Sequence, residues 1–243
     1  MISVCIPTYN GADYIKEQVE SILEQLTSDD EIVISDDGST DNTIDLLNAI
    51  NDKRIKIFHN IKDKRAEGKD TLYKVSLNVQ NALLNAQGDY IYLSDQDDIW
   101  LKGRINKTIG FLKSNSPALS VCNCKIINDN HEIIFPSYFN YIKPSASIFR
   151  TILKSSYHGC CMAFNRKVLE KAFPFPEVSI GHDLWLGFVA SYYGQVEFIE
   201  EPLMLYRRHN TTVTTTGFKS NNSLFFKVKY RALFISSIIK KIV

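Results

Sequence analysis

The chain has 243 residues, of which 44% are hydrophobic and 12% aromatic, and its formal net charge is +1. This length is enough to bury a sizeable core and suits one compact α/β domain. No run of about 18 apolar residues is present, so we expect no membrane-spanning helix. The first predicted strand begins at Ile2, so we also expect no signal peptide.

The charges are unevenly distributed along the chain. The last 42 residues contain eight Lys or Arg and no Asp or Glu, whereas residues 1–201 contain 20 basic and 27 acidic side chains. A basic tail on an acidic body favours contact between the tail and an anionic membrane or nucleic acid. We expect no nucleic-acid binding, because the body is acidic and no stacking motif interleaves with the basic residues.

The cysteines do not indicate a disulfide framework. They are Cys5, Cys122, Cys124, Cys160 and Cys161. Their number is odd and no C-x-x-C is present, so we expect reduced, buried thiols in a cytoplasmic protein. A zinc site that combines His158 with these thiols is a weaker alternative, because the spacings do not match zinc motifs.

The first hundred residues alternate between strand and helix patterns. Short apolar runs predict strands at 2–8, 31–35, 54–60 and 88–94. Apolar stripes with helical spacing lie within 15–26, 44–50 and 75–83. This order predicts a mostly parallel sheet with helices on both faces.

The second half of the chain is less regular. Further strands are predicted at 119–127, 160–165, 196–199 and 203–206. Helices are predicted at 166–173 and from near His182, and residues 129–157 read as polar and loop-rich. No domain boundary is evident before about residue 218, so we expect a smaller mixed region after the regular half.

Polar clusters follow the predicted strands one, two and four. Their sequences are "PTYN", "SDDGSTD" and "SDQDD". In open α/β sheets, ligands bind beyond the carboxyl ends of the strands. The three clusters are therefore expected to share one crevice, although they are up to about ninety positions apart in the sequence.

The third cluster places three carboxylates within four positions, at Asp95, Asp97 and Asp98. Asp95 and Asp97 are two positions apart, so both point to one side of an extended segment. Two such carboxylates suit Mg²⁺ or Mn²⁺, which retains positions for water and substrate phosphate. A solvated polar turn is the alternative for so common a pattern.

The first two clusters offer contacts for a nucleotide. Turn and capping preferences explain residues 38–41, but not the adjacent acids Asp36 and Asp37 at the strand end. A carboxylate there could accept hydrogen bonds from a ribose or a base. In the first cluster, Tyr9 offers an aromatic face, and the backbone near Pro7 and Thr8 could bind the edge of a base.

Two later motifs suggest chemistry. Asp183 in "IGHDLWLG" lies in the predicted first turn of a helix, where the helix dipole would keep a general base ionised; plain first-turn placement of an acid is the alternative. In "YRRHN", Arg207 and Arg208 offer forked donors for a diphosphate, and His209 could donate to phosphate or bind the metal. A solvated basic loop is the alternative there.

Five motifs in this order resemble the family 2 glycosyltransferases, which have a GT-A type fold. They are "SVCIPTYNGADYIKEQVESIL", "IVISDDGSTDNT", "GDYIYLSDQDDIW", "GHDLW" and "YRRH", within about residues 1–210. "SDQDDIW" is similar to the subgroup with bacterial rhamnosyltransferases and other capsule or O-antigen sugar transferases. The resemblance implies a nucleotide-binding half at 1–100, an acceptor half at 101–218 and a basic tail at 219–243.

The resemblance also implies roles for single residues. Tyr9, with Pro7, Thr8 and Asn10 around it, would stack on the nucleotide base. The base would bind Asp37, with Asp36 nearby. Asp97 would be the principal metal ligand, with Asp95 as its partner and also near the nucleotide. Asp183 would be the catalytic base of an inverting enzyme. The implied diphosphate contacts are Arg207, Arg208 and His209.

Two positions depart from the family pattern. His182 stands where the family usually has Glu before the catalytic acid, which affects the expected acceptor contacts. Many members of the family have an "N-x-G" stretch before the third helix. Asn60 matches its Asn, but Lys62 stands in place of its Gly. The donor is therefore least predictable near Lys62.

The resemblance implies transfer of a sugar from a UDP- or dTDP-linked donor to a saccharide acceptor, with Mg²⁺ or Mn²⁺, in bacterial surface polysaccharide synthesis. A sugar nucleotidyltransferase is an alternative, although "PTYNGADY" lacks the Gly-rich, Arg-containing loop of those enzymes. A dinucleotide-binding G-x-G-x-x-G is also missing there. A non-catalytic nucleotide-sugar-binding scaffold at the membrane is the other alternative.

The tail reads as a cationic amphipathic helix. Its apolar residues Leu224, Val228, Ile235, Ile239 and Ile242 fall roughly on one face, among basic residues. This pattern predicts a helix that lies on the inner face of the cytoplasmic membrane, near a lipid-linked acceptor. Packing of the helix on the body, or contact in a homo-oligomer, is the alternative.

Overall fold

The computed structural model describes residues 1–60, 66–209 and 223–243. The strands are β1 (Ile2–Thr8), β2 (Glu31–Asp36), β3 (Ile55–His59), β4 (Tyr90–Leu93), β5 (Ile99–Trp100), β6 (Ala118–Ile127), β7 (Ile133–Phe135), β8 (Met162–Asn165) and β9 (Gln195–Arg207). The helices are α1 (Ile15–Leu23), α2 (Thr43–Ile50), α3 (Thr71–Asn85), α4 (Arg104–Leu112), α5 (Tyr138–Ile142), α6 (Ile148–Leu153), α7 (Arg166–Ala172), α8 (His182–Tyr193) and α9 (Leu224–Ile242).

Within the described residues, the strands form one nine-stranded sheet in the order β3-β2-β1-β4-β8-β6-β9-β5, with β7 paired to β6. β3, β2, β1 and β4 are parallel, as the alternating sequence predicts. β8 pairs antiparallel with both β4 and β6, and β6 pairs parallel with β9. The predicted α/β fold, a parallel nucleotide-side sheet beside a smaller mixed region, is confirmed.

The centre of the sheet is covered on both faces. Every residue of β2 and all but one of β1 is buried, including the polar Ser3 and Ser35. Helix α3 packs on both strands, and its Asn78 accepts a hydrogen bond from the buried Ser35 hydroxyl at 2.6 Å. Continuous burial explains why these strands read as unbroken apolar runs in the sequence.

The acceptor half differs in detail from its sequence prediction. The two short strands expected at 196–199 and 203–206 form the single strand β9, whose register against β6 shifts near Asn123. Pro202 cannot donate to the ladder there, and the Asn123 side chain instead donates to the Glu200 carbonyl at 2.9 Å. The predicted strand 160–165 starts as a 3₁₀ turn, and the expected loop 129–157 contains β7, α5 and α6.

Helix α9 packs on the body through one face and exposes another. Phe234 and Ser237 are buried, and the Phe234 ring meets Phe188 of α8 edge-on at 6.0 Å. The predicted apolar stripe is on the exposed side, where Val228, Ile235, Ile239 and Ile242 are exposed. The side chain of Leu224 and residues 219–222 lie outside the described part of the chain. None of the described helices is both long and apolar enough to cross a membrane.

Candidate active site

The three polar clusters predicted to share a crevice lie against one another. The Gln96 side-chain oxygen accepts hydrogen bonds from the Thr8 hydroxyl at 2.6 Å and from the Tyr9 amide at 2.9 Å. The Asn10 side chain accepts from the Thr40 amide at 2.8 Å. The loop after β1 is therefore bonded both to the loop after β4 and to the loop after β2.

Gly11 allows this close approach of the first and third loops. A Cβ atom at position 11 would lie 2.5 Å from the Gln96 side-chain oxygen. Tyr9, two residues earlier, is 54% exposed. The loop is thus fixed by hydrogen bonds while its aromatic ring remains free to stack on a planar ligand.

Asp36 and Asp37 have different environments. The Asp36 carboxylate is buried and accepts bonds from the amides of Gly38 and Ser39, both at 3.0 Å, and from the Ser39 hydroxyl at 2.5 Å. Asp37 is half-buried and accepts a bond from the Asn60 side chain at 2.9 Å. Asp36 therefore shapes the turn, and Asp37 is the acid placed to meet a ligand. Lys62, the predicted departure from the family pattern, lies outside the described residues.

The acids after β4 form a strongly negative cluster. Burial and the charges of Asp97 and Asp183 raise the pKa of Asp95 to about 7. Burial, together with Asp97 and Asp95, raises the pKa of Asp98 well above its usual range. One Asp98 oxygen accepts from the Arg207 amide at 3.0 Å. Its other oxygen is buried without a hydrogen-bond partner among the described residues.

This cluster fits a hard divalent cation. A cation would offset the repulsion that raises the two pKa values, and Mg²⁺ and Mn²⁺ prefer carboxylate oxygens. The unpartnered Asp98 oxygen supplies an acceptor that needs a cation or a donor. The residues present therefore fit the predicted metal, and Asp98 joins Asp95 and Asp97 as a group close to it.

The "YRRH" segment at the end of β9 contacts the same cluster. The His209 Nε2 atom lies 2.7 Å from an Asp97 oxygen, and its ring stacks on Tyr14 at 4.8 Å. The hydrogen bond to Asp97 raises the pKa of His209. His209 is thus placed at the predicted principal metal ligand, although the two residues are far apart in the sequence.

The Arg207 guanidinium is enclosed, in contrast to its predicted role as an open phosphate clamp. It is 2% exposed and contacts a Glu17 oxygen at 2.6 Å and the Asp97 carbonyl at 3.0 Å. These contacts hold the Asp97 loop against α1. Arg208 is half-buried, and its amide donates to the Ile127 carbonyl at 2.9 Å.

Asp183 lies in the first turn of α8, as predicted. Its charge contributes, after burial and the charge of Asp97, to the raised pKa of Asp95. An Asp183 oxygen accepts from the Leu184 amide at 2.7 Å. The neighbouring His182 has its pKa lowered by burial and is therefore neutral at pH 7.

The cysteines are all buried and free, as predicted. His158, Cys160 and Cys161 place one ligand atom each within 4.8 Å of the others. Burial raises the pKa of the Cys160 thiol well above its usual range, and burial lowers the pKa of His158 to about 4. In the metal-free protein these groups are therefore neutral, and Cys160 also places its sulfur within 4.8 Å of ligand atoms of Asp95 and Asp98.

Several residues of the site were not predicted from the sequence. Gln18 donates to the Asp95 carbonyl at 2.9 Å. Arg104 is fully buried beneath the acids and donates to the Cys160 carbonyl at 2.7 Å. Glu17 contacts the Arg207 guanidinium, and Gln96 accepts hydrogen bonds from the loop after β1, as described above. Gln18, Glu17 and Gln96 are polar residues on a predicted helix or turn, where a solvated position is the ordinary expectation, and Arg104 begins α4, a helix that was not predicted from the sequence.

The comparisons with known proteins agree with this geometry. The family model described as "Glycosyl transferase family 2" matches residues 3–173, more than half of the chain. The chain therefore belongs to the family 2 glycosyltransferases, enzymes that transfer a sugar from a nucleotide-sugar donor to an acceptor. The predicted family resemblance is confirmed.

Two curated relatives are bacterial sugar transferases. The UDP-Glc:alpha-D-GlcNAc-diphosphoundecaprenol beta-1,3-glucosyltransferase WfgD of Escherichia coli is 28% identical over 78% of this chain and 70% of its own length. The dTDP-rhamnosyl transferase RfbG of Shigella flexneri is 30% identical over 93% of this chain and 77% of its own length. These similarities agree with the predicted subgroup.

Two solved structures share the fold. S. aureus TarS in complex with UDP-GlcNAc superposes with a TM-score of 0.69 at 19% identity, over 96% of this chain and 66% of that chain. The mannosyltransferase PcManGT from Pyrobaculum calidifontis, in complex with GDP-Man and Mn²⁺, gives a TM-score of 0.60 at 21% identity, over 89% of this chain and 58% of that chain. The present chain therefore spans about two thirds or less of these structures.

Proposed function

We propose that this glycosyltransferase moves one sugar from a UDP- or dTDP-linked donor to a lipid-linked saccharide, with inversion at the anomeric carbon, in bacterial surface polysaccharide synthesis. The observation that carries the proposal is that the loop of Tyr9 bonds to Gln96 of the acidic loop, in which Asp97 lies 2.7 Å from His209. WfgD uses UDP-Glc with a diphosphoundecaprenol acceptor, and RfbG is a dTDP-rhamnosyl transferase.

The nucleotide is assigned to the loops after β1 and β2. The exposed Tyr9 ring stacks on the base, and the Asp37 carboxylate accepts from its edge or from the ribose. Backbone groups of Pro7, Thr8 and Asn10 line the same loop, which Gln96 and Ser39 hold in place. Asp36 contributes by fixing the turn around Asp37.

The metal is assigned to Asp95, Asp97 and His209, with Asp98 close by. When bound, Mn²⁺ or Mg²⁺ supplies positive charge opposite the diphosphate of the donor. Arg207 fixes the Asp97 loop through its contacts with the Asp97 carbonyl and Glu17. Arg208 and His209 are therefore the stronger candidates for direct contact with the diphosphate, and Arg207 acts through the loop.

Asp183 is assigned as the general base. It takes the proton from an acceptor hydroxyl, whose oxygen attacks the anomeric carbon as the bond from that carbon to the diphosphate oxygen breaks. The proton ends on Asp183, the sugar on the acceptor and the electron pair on the departing nucleotide diphosphate. Attack from the opposite side inverts the anomeric configuration, and general-base help is typically worth about 10²–10⁴-fold in rate.

The exposed side of α9 is assigned to the inner face of the cytoplasmic membrane. Val228, Ile235 and Ile239 are exposed there, and residues 223–243 carry five Lys or Arg and no acid. An apolar stripe with cations beside it suits an anionic lipid surface. This placement would hold the active site next to a lipid-linked acceptor.

The alternatives left open by the sequence differ in support. Sugar nucleotidyltransferases lie outside the family that the chain matches. A non-catalytic scaffold would have no need for Asp183 beside the metal cluster. Measurable hydrolysis or transfer of a donor separates the scaffold from the enzyme.

A thermal-shift panel with UDP, dTDP and GDP, each with and without Mn²⁺, tests the donor and metal assignments. We expect UDP or dTDP to raise the melting temperature in the presence of Mn²⁺ and much less in its absence, because a bound cation would offset the repulsion between the diphosphate and the acids around Asp97. Equal stabilisation with and without the ion would contradict the metal assignment.

The Asp183→Asn variant tests the base. We expect transfer to fall by about 10²–10⁴-fold, while stabilisation by nucleotide and Mn²⁺ stays nearly unchanged. Asp45→Asn, an exposed acid on α2, is the matched control and should keep full activity. Full activity of Asp183→Asn would remove this residue from the mechanism.

A further inference from the structure

Helix α9 reaches the turn that carries the proposed base. The Tyr230 hydroxyl accepts a hydrogen bond from the Gly181 amide at 3.1 Å. Gly181 is the residue immediately before α8 and is buried. The amide at such a position has no partner inside the helix. The hydroxyl of Tyr230, on α9, therefore accepts the hydrogen bond that this amide can donate.

Gly181 also contacts the proposed base directly. A Cβ atom at position 181 would lie 2.2 Å from an Asp183 oxygen and 3.7 Å from the Tyr230 hydroxyl. The carboxylate of Asp183 therefore folds back over Gly181, and the hydroxyl of Tyr230 lies on the same residue. A movement of this turn would displace the base.

Other contacts between α9 and the body of the protein hold Tyr230 in place. Phe234, one turn further along, is buried against Phe188 of α8. Near the end of the helix, the Lys241 ammonium donates to the Phe173 carbonyl at 3.0 Å. The Tyr230 ring stacks on Phe226 at 6.2 Å. The residues that anchor the helix are thus separate from the single hydroxyl that meets the turn.

We propose that Tyr230 is a positioning residue for catalysis, which fixes the Gly181–Asp183 turn through its hydroxyl and makes activity depend on the seating of α9. The proposal rests on the assignment of Asp183 as the base. It gives α9 two functions on two faces, since the exposed face is the one assigned to the membrane. Burial, and after it the negative charge of Asp183, raises the pKa of Tyr230 to about 12.

The Tyr230→Phe variant removes the hydroxyl and keeps the ring. Tyr193→Phe is the matched control, because the Tyr193 hydroxyl donates to the Lys241 carbonyl of the same helix at 3.4 Å, away from the turn. Amide exchange of Gly181, measured on the full chain without ligands, should become faster in Tyr230→Phe and remain unchanged in Tyr193→Phe. Unchanged exchange in both variants would overturn the proposal.

The kinetic test uses release of nucleotide diphosphate from UDP-glucose, UDP-N-acetylglucosamine or dTDP-rhamnose with Mn²⁺, without membranes. With the donor that turns over fastest, kcat should fall about three- to tenfold in Tyr230→Phe, which corresponds to one lost hydrogen bond. The KM for the donor and the kcat of Tyr193→Phe should stay unchanged. A wild-type kcat in Tyr230→Phe, or equal losses in both variants, would overturn the role of this hydroxyl.

The two assignments fail in distinguishable ways. If Asp183→Asn keeps its activity, the base assignment is wrong, whatever Tyr230→Phe does. If Asp183→Asn is inactive and Tyr230→Phe has wild-type exchange and kcat, only the positioning role is wrong.

Discussion

The nucleotide half and the acceptor half of this molecule are organised in different ways. In the nucleotide half, each functional group follows its own strand, and parallel pairing alone brings Tyr9, Asp37 and Asp97 to one edge. In the acceptor half, Asp183 and His209 reach the same place through α8 and the long strand β9. The first arrangement needs only the topology, and the second needs particular long-range contacts.

This difference separates residues that are predicted to bind the ligand from residues that hold the site in its shape. Short motifs at strand ends predict candidate binding residues, because the chemistry and the position are both local. Supporting contacts such as Arg104 with the Cys160 carbonyl join distant segments. Substitution of a predicted ligand-binding residue or of Asp183 should therefore remove a function directly, whereas substitution of a supporting residue such as Arg104 should act through stability and geometry.

The largest effect is expected for Asp97→Asn in the nucleotide half. The loss of the proposed principal metal ligand should abolish stabilisation by Mn²⁺ and lower transfer by more than about a hundredfold, since even partners that only orient ligands are worth about 10–100-fold. Thermal shift with Mn²⁺ and the rate of donor turnover measure the two effects. Asp45→Asn again serves as the control, and Mn²⁺ stabilisation that survives in Asp97→Asn would place the ion elsewhere.

A large effect on stability is expected for Arg104→Met, at the junction of the two halves. The Arg104 side chain is fully buried, lies 4.2 Å from the Trp100 ring and donates to the Leu93 and Cys160 carbonyls. Each buried carbonyl left without a donor costs about 1–3 kcal/mol. We expect the free energy of unfolding, measured with urea, to fall by about 3 kcal/mol.

Arg166→Met is the matched control for this prediction. The Arg166 guanidinium also donates to two backbone carbonyls, those of Ala86 and Gly88. It is only half-buried, so water can replace it, and a loss of about 1 kcal/mol or less is expected. Equal losses in the two variants would show that burial of Arg104 does not govern its contribution.

The same difference explains how far the sequence could predict this molecule. The strands of the nucleotide half and the clusters at their ends follow from period, turn chemistry and the parallel-sheet rule. The enclosed position of Arg207 does not, because its partner Glu17 lies on α1 and is remote in sequence. The packing face of α9 was also missed. Phe226, Tyr230, Phe234 and Ile238 recur every four residues, but the aliphatic residues of a second face have helical spacing as well, so the sequence does not show which face packs.

A pH effect should distinguish Asp95 from an ordinary surface acid. The pKa of Asp95 is raised from 3.8 to about 7 in the folded, metal-free protein. A raised carboxyl pKa stabilises the fold fully below the unfolded pKa, and this stabilisation is lost as the pH rises through about 7. The free energy of unfolding should therefore fall between pH 5 and pH 8 by more in the wild type than in Asp95→Asn.

The difference between these two proteins reports Asp95 together with its effect on Asp98, whose pKa the charge of Asp95 also raises. His158, whose pKa is lowered by burial, changes stability in the opposite direction as the pH falls, and it does so in both proteins. Stabilisation of the wild type by Mn²⁺ should also grow from pH 6 to pH 8, because protons no longer compete for Asp95. Parallel pH curves for wild type and Asp95→Asn would contradict the raised pKa.

The smallest effect on the folded enzyme is expected on the exposed face of α9. A double variant, Ile235→Ser with Ile239→Ser, removes apolar area that the body does not cover. Its melting temperature and kcat should stay near wild type, while its binding to vesicles with anionic lipid, measured by sedimentation, should weaken at least severalfold.

Removal of residues 221–243 is a poorer test, because it also removes Tyr230 and should lower activity without any membrane. Undiminished vesicle binding by the double variant would assign the exposed face to another contact, and a loss of kcat equal to that of Tyr230→Phe would show that the two faces of α9 do not act separately.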